Sequence, residues 1–149
     1  MTRTDAERAD FLSRRRARTL PALAIIYFIQ QTTYFRSTAA AQPRDVDHVW
    51  IGAWVVLSLL MLAGLTTKGF WLQPQAVRDL IDDESTRANR LEGIRIGFLI
   101  AVLTAIALYF IDQFEPMTAR EAIHIVLSLG LGAAIFRFGM LERHAHRDA

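Results

Sequence analysis

The sequence predicts an all-α integral membrane protein, a four-helix bundle with both termini in the cytoplasm. Its 149 residues are 52% hydrophobic, and the apolar residues form four blocks instead of the short periodic runs of a soluble domain. Nearly all of the charged residues lie between these blocks. This segregation of apolar from charged residues predicts a single transmembrane domain over residues 1–149.

Each apolar block is close to the length of about 20 residues that a membrane span needs. The predicted spans are residues 20–41, 49–67, 94–111 and 122–140, with a cytoplasmic loop at 68–93. Charged residues near the span ends lie where long side chains can reach water. The first block and the STAAAQ segment after it also resemble a cleaved signal peptide. We expect an uncleaved span instead, because the block is long, aromatic and interrupted by Arg36.

The basic residues predict the orientation, because arginine and lysine concentrate in the cytoplasmic segments of membrane proteins. Six arginines precede the first span, five basic residues lie in or beside the loop at 68–93, and three follow in or after the fourth span. The opposite side carries only Arg36, Arg44 and Arg120. We therefore expect both termini to be cytoplasmic.

The first span carries a stripe of polar residues. Tyr27, Gln30, Gln31 and Tyr34 recur at helical spacing and share one face. If the span begins near Leu20, the glutamines lie about 15 Å along it, near the bilayer midplane. An amide at that depth must face protein, water or a ligand. The stripe is therefore interhelical hydrogen bonding, a site for an amphiphile such as a quinone or lipid, or a hydrated pathway.

The third span has an edge of small residues. Gly93, Gly97, Ala101 and Ala105 recur every four positions, and small residues at this spacing allow two membrane helices to approach closely. The edge predicts a helix-packing surface, either within the chain or between chains. We expect a homo-oligomer.

Acidic residues and histidines gather on the predicted outer side, and Asp47, His48, Glu121 and His124 are weak candidates for metal ligands. Glu121 and His124 stand three positions apart on one helix, a spacing used in carboxylate–imidazole metal sites. A metal needs about three or four converging ligands, and such residues are ordinary at a membrane surface. We therefore expect no metal site, and we interpret His124 as a buried hydrogen-bonding residue one turn from Ser128.

Several kinds of chemistry lack the residues that they require. The chain has no cysteine, which excludes disulfides, thiolate metal sites and cysteine nucleophiles. No ionisable residue lies near the centre of a span, where coupled transport would need one, and no histidine is placed to hold a haem. We expect a non-enzymatic protein without a cofactor. The net charge of +2 is too small to indicate nucleic-acid binding.

The loop at 68–93 is the one sizeable segment predicted outside the membrane. Its second half places Asp82, Asp83 and Glu84 directly before Arg87 and Arg90. An acidic patch beside a basic patch is a surface that a protein partner could bind, although a solvated loop between helices has the same composition.

The segment DDESTRANRLEGIRIGF, residues 82–98, resembles a family of small uncharacterised bacterial membrane proteins. These have four spans and a D-E-x-T-R-x-N-R segment before the third, and the resemblance covers about residues 68–140. It implies no catalytic residue, because the family has no established activity. Its members are often encoded beside helix-turn-helix regulators, which implies a bacterial inner-membrane location and a cytoplasmic regulator as partner.

Two hypotheses about function follow. The first is a membrane protein that binds or sequesters a cytoplasmic partner such as a transcriptional regulator, through the charged segment from Asp82 to Arg90. The second is a protein that binds or transports a small amphiphile with the polar stripe of the first span.

Overall fold

The computed structural model describes residues 4–38, 45–67 and 84–145, which are almost entirely helical and contain no strand. The four helices are α1 Asp5–Thr38, α2 Asp45–Thr66, α3 Glu84–Ile111 and α4 Ala119–Ala145. The predicted all-α class is confirmed. The helices extend beyond the predicted spans: α3 begins ten residues before position 94, and α4 ends five residues after position 140.

Helix α1 begins with a reciprocal N-terminal cap. The backbone N–H of Thr4 donates to Glu7 Oε2 at 3.0 Å, and the N–H of Glu7 donates to Thr4 Oγ1 at 3.4 Å, as the spacing of these residues predicts. The helix that begins here is not separate from the first predicted span, because α1 continues through Pro21 to Thr38. Pro21 is buried against Gly139 of α4, where an added Cβ would lie 2.6 Å from the proline ring.

Helix α4 is the centre of the packing. It contacts α1, α2 and α3, most extensively α3 and then α1, whereas α2 makes fewer contacts. The buried apolar core is built from α1, α2 and α4 and contains Ala24, Tyr27, Met61, Leu65, Ala134, Ile135 and Phe138. Helix α3 adds no large side chain to this core, since its buried residues are Thr86, Gly93 and Gly97.

The helices alternate in direction, and two interactions define one end of the bundle. Arg16 near the start of α1 forms an ion pair with Glu142 near the end of α4. Arg90 near the start of α3 donates a hydrogen bond to the carbonyl of Thr67, just after α2, at 3.2 Å. We call this the charged end. The opposite end, where residues 112–118 connect α3 to α4, is the hairpin end.

Much of the helix surface is apolar and exposed. Phe98 and Leu103 of α3 are 67% and 61% exposed, and large aliphatic side chains of α1 and α2 are exposed as well. Among the described helices, α3 and α4 are long and apolar enough to cross a membrane, and α2 has a shorter apolar stretch, Ile51–Thr66. By length and composition, these two helices are thus compatible with membrane association.

Candidate functional site

A cluster of polar side chains lies between α1, α2 and α4, and we call it the central polar cluster. The hydroxyl groups of Tyr27 and Ser58 are 2.8 Å apart and hydrogen-bonded, which joins α1 to α2. The Gln31 amide donates from Nε2 to the Tyr27 carbonyl at 3.2 Å, while its Oε1 is hydrogen-bonded to His124 Nε2 on α4. An amide oxygen can only accept, so His124 is the donor and carries its proton on Nε2.

Trp54 of α2 completes the central polar cluster. Its indole N–H donates to Ser128 Oγ on α4 at 3.2 Å. The indole ring also packs on the His124 ring, with centroids 4.3 Å apart and planes tilted by 33°. The cluster therefore comprises Tyr27, Gln31, Trp54, Ser58, His124 and Ser128. Each of these polar side chains has a partner on another helix, which is the arrangement expected of interhelical hydrogen bonding.

The predicted stripe of α1 divides into two parts in the structure. Tyr27 and Gln31 are buried in the central polar cluster. Gln30 is half-buried and makes no hydrogen bond to another described side chain, and the side chain of Tyr34 lies outside the described part of the chain. Sequence reasoning missed Ser58 of α2. The sequence feature that could have indicated Ser58 is that it is the one polar side chain between Trp54 and Thr66.

A second buried polar group lies at the charged end and joins α1, α3 and α4. We call it the Arg16–Glu142 network. Arg16 Nη2 pairs with Glu142 Oε2 and also donates to Thr86 Oγ1 at 3.1 Å. Asn89 Nδ2 donates to Glu142 Oε1 at 3.1 Å, and the guanidinium carbon lies 5.5 Å from the centre of the Phe138 ring. Arg16 and Glu142 are only 8% and 3% exposed, so the ion pair is shielded from water.

Sequence reasoning treated Arg16 only as one of the orienting arginines and did not single out Glu142. These two residues stand 126 positions apart, so no local pattern relates them. Within the described residues, Arg16 Nε is a buried donor without a hydrogen-bond partner. The guanidinium carbon of Arg16 lies over the Phe138 ring, a favourable position for a cation.

The residues predicted to bind a partner are only partly described. Asp82 and Asp83 lie outside the described residues. Glu84 and Arg87 are exposed in the first turns of α3. Arg90, in contrast, contacts the carbonyl after α2, which places it between two helices of the charged end.

The small-residue edge of α3 lies against α4. A Cβ on Gly97 would lie 2.5 Å from Ala134 Cβ and 2.6 Å from the Gly130 carbonyl, and Gly93 is equally close to α4. Ala101 contacts Gly130, whereas Ala105 is exposed nearer the hairpin end. The edge is therefore occupied within the chain, and the homo-oligomer stays a prediction that this surface does not support.

The weak metal candidates do not come together in the described part of the chain. Glu121 forms a second reciprocal cap, accepting from the N–H and the hydroxyl of Thr118 at 2.9 and 2.8 Å. The hydrogen bond from the Thr118 N–H, and to a lesser extent the one from the Thr118 hydroxyl, lower the pKa of the Glu121 carboxyl. Glu121 lies just before the predicted fourth span, residues 122–140. His124 faces Gln31 instead. No group of three or more potential ligands occurs among the described residues, and the side chains of Asp47 and His48 lie outside them.

The described residues thus form four helices that share two buried polar groups, and two of these helices are apolar enough to cross a membrane. Searches against protein-family models, curated proteins and solved structures found no match to this chain. The resemblance noted at residues 82–98 therefore stays a prediction.

Proposed function

We propose that the protein is a non-enzymatic four-span protein of the bacterial inner membrane that binds a cytoplasmic protein partner at its charged end. The exposed apolar surface of α3 supports membrane insertion. A buried core helix of a soluble protein has the same length and composition, but α3 is mostly exposed. In water each large exposed side chain would forgo about 1.5–3 kcal/mol of burial free energy, whereas lipid solvates it.

The single observation that carries the proposal is the pairing of polar side chains inside the bundle. Tyr27 bonds to Ser58, Gln31 to His124, and Trp54 to Ser128. A binding or transport site would need polar groups that face a cavity. Because these groups bond to one another across three helices, the pairing of Tyr27 and Gln31 supports a structural role over the small-amphiphile hypothesis.

In the proposed orientation of the protein in the membrane, the charged end lies in the cytoplasm. This end holds the starts of α1 and α3 and the end of α4, and the sequence in and next to these segments carries most of the arginines. The Arg16–Glu142 network ties three of the helices together there. The network includes Thr86 near the start of α3, which follows the proposed partner-binding residues Asp82 to Glu84 directly in sequence.

Partner binding is assigned to the acidic residues before α3 and the basic residues that follow. Glu84 and Arg87 are exposed on the first turns of α3, and Asp82 and Asp83 precede them directly in sequence. A surface with adjacent acidic and basic patches gains specificity and association rate through charge complementarity. The helix-turn-helix class of regulator comes from the resemblance alone.

The test is purification from native membranes in mild detergent, followed by mass spectrometry of the proteins that come with it. The variant Asp82→Lys with Asp83→Lys and Glu84→Lys should lose a stoichiometric soluble partner while its membrane abundance stays unchanged. The matched control is Asp10→Lys, which reverses an exposed acid of α1 near the same end and should retain the partner. Equal capture of the partner by both variants would contradict the assignment of partner binding to Asp82, Asp83 and Glu84.

A further inference from the structure

An open crevice lies between α3 and α4 at the hairpin end. Its volume is about 590 Å³, within the range of about 300–1,000 Å³ that is typical of small-molecule sites. It follows α3 from Ala105 to Asp112, which corresponds to about 10 Å at the rise of an α-helix. The crevice is separate from both the central polar cluster and the Arg16–Glu142 network, and no residue of those two groups lines it.

The crevice has an apolar body and a polar rim. Small side chains of both helices, Ala105 and Ala122, face it, and Tyr109 and Leu127 line its walls. The rim carries Asp112, whose Oδ1 accepts a hydrogen bond from the backbone N–H of Met117 at 2.8 Å. An occupant that matches this surface has an alkyl chain for the body and a polar group at one end.

The charge at the rim selects the polar group of the occupant. The connection from α3 to α4 and the first turn of α4 carry the acids Asp112, Glu115 and Glu121 and the base Arg120. Asp112 directly follows the last residue of α3, at the depth where a membrane helix meets the lipid headgroups. A carboxylate at that depth favours a cationic hydrogen-bond donor, because charge-assisted hydrogen bonds are about twice as strong as neutral ones.

We infer that this crevice binds an aminophospholipid, with an acyl chain against the apolar walls and the primary ammonium group of the headgroup donating to the Asp112 carboxylate. This inference rests on the membrane insertion proposed above. A phosphatidylcholine with the same chains has the same charge on nitrogen but no N–H, and it would fill the body of the crevice without the hydrogen bond. Discrimination between these two lipids is therefore the signature of the site.

The test uses the full chain reconstituted in nanodiscs that contain equal amounts of phosphatidylethanolamine and phosphatidylcholine with identical chains. The protein is then transferred to detergent, and native mass spectrometry measures the lipids retained. We expect enrichment of phosphatidylethanolamine, and Asp112→Asn should reduce that enrichment about tenfold or more, the value of a hydrogen bond to a charged group. The amide keeps an oxygen for the Met117 N–H, so the turn should persist.

Two further variants separate the crevice from general lipid effects. Glu115→Gln removes an exposed acid of the same turn that does not line the crevice and should keep the enrichment. Ala105→Phe fills the body and should reduce retention of both lipids, with thermal unfolding of the variant as the check that it folds. Equal retention of the two lipids by the native protein, an unchanged Asp112→Asn variant, or a lipid-free dimer would each overturn the inference.

Membrane insertion is measured separately by resistance of the protein to alkaline extraction from membranes. Loss of the protein from the membrane fraction would contradict both the proposed function and the lipid site. An inserted protein without a lipid preference would contradict the lipid site alone.

Discussion

His124 on α4 donates its Nε2 proton to Oε1 of Gln31 on α1. This hydrogen bond joins two helices through residues that stand 93 positions apart in the sequence. The residues are only 5% and 8% exposed, so water cannot replace either partner. Gln31 also holds the Tyr27 carbonyl, and the His124 ring packs on Trp54. Gln31 therefore orients His124, which lies on α4 and contacts the other two core helices, α1 and α2.

Removal of the Gln31 amide should destabilise the bundle. Gln31→Leu leaves the His124 N–H without its acceptor, and an unsatisfied buried donor costs about 1–3 kcal/mol. The measurement is thermal unfolding in mild detergent. The control is Gln30→Leu, which alters a half-buried glutamine without a hydrogen bond to a described side chain and should change the free energy of unfolding by less than about 0.5 kcal/mol. Equal melting temperatures for the two variants would speak against the structural role of the central polar cluster.

The Arg16–Glu142 network should depend strongly on both charges. Glu142→Ala leaves the guanidinium buried without a counter-ion, and breaking a buried ion pair in this way costs about 3–5 kcal/mol. Replacing both partners, as in Arg16→Met with Glu142→Leu, removes the uncompensated charge and should give a more stable protein than Glu142→Ala. Chemical unfolding in detergent compares the variants.

The exposed pair of Arg14 and Asp10, 3.0 Å apart on α1, supplies the control for that comparison. Asp10→Asn should change the free energy of unfolding by no more than about 1 kcal/mol, because exposed ion pairs contribute little. A loss for Asp10→Asn as large as that for Glu142→Ala would show that burial of the Arg16–Glu142 pair is not the cause of its effect.

Close packing of α3 on α4 should make Gly97 intolerant of a side chain. In Gly97→Ala the added Cβ would lie 2.5 Å from Ala134 Cβ, and overpacking of this kind costs about 1–3 kcal/mol. Gly64→Ala in α2 meets nothing within 4 Å and should be neutral or gain up to about 1 kcal/mol of helix propensity. The melting temperature should therefore fall in Gly97→Ala and stay unchanged or rise in Gly64→Ala, and a stabilised Gly97→Ala protein would contradict the observed contact.

The proposed orientation can be tested by labelling single cysteines, because the natural chain has none. A membrane-impermeant maleimide added to intact spheroplasts should label Glu115→Cys at the exposed hairpin end. Ser85→Cys and Arg143→Cys, exposed at the charged end, should react only after lysis. Labelling of all three before lysis, or the reverse pattern, would exclude the proposed topology.

The sequence was sufficient for helix class and for the inward face of α1, because hydrophobic blocks and polar spacing are local signals. Tyr27 and Gln31 share a face by spacing alone, and both are buried. Glu121 shows how a local signal can be misread. Its spacing from His124 suggests a metal pair, but Thr118 three positions earlier forms a capping box that accounts for the carboxylate.

Pairings between distant residues were beyond the reach of sequence patterns. Glu142 lies in a charged segment that reads as a solvated helix end, and only the packing of α1 on α4 brings it to Arg16. The arrangement of the helices likewise pairs Ser58 with Tyr27 and Ser128 with Trp54. The sequence also left open whether the small-residue edge of α3 packs within the chain or against a second copy. In the structure, Gly93 and Gly97 of this edge lie against Ala134 of α4.

The central position of α4 has a consequence for the order of assembly. In the chain α4 follows α1, α2 and α3, yet all three pack on it. During synthesis the earlier helices are therefore made before their common partner exists, with Gln31 and Arg16 still lacking His124 and Glu142. Bundle assembly therefore waits for the last helix, and a chain that stalls before residue 119 would lack the partners of these buried polar groups.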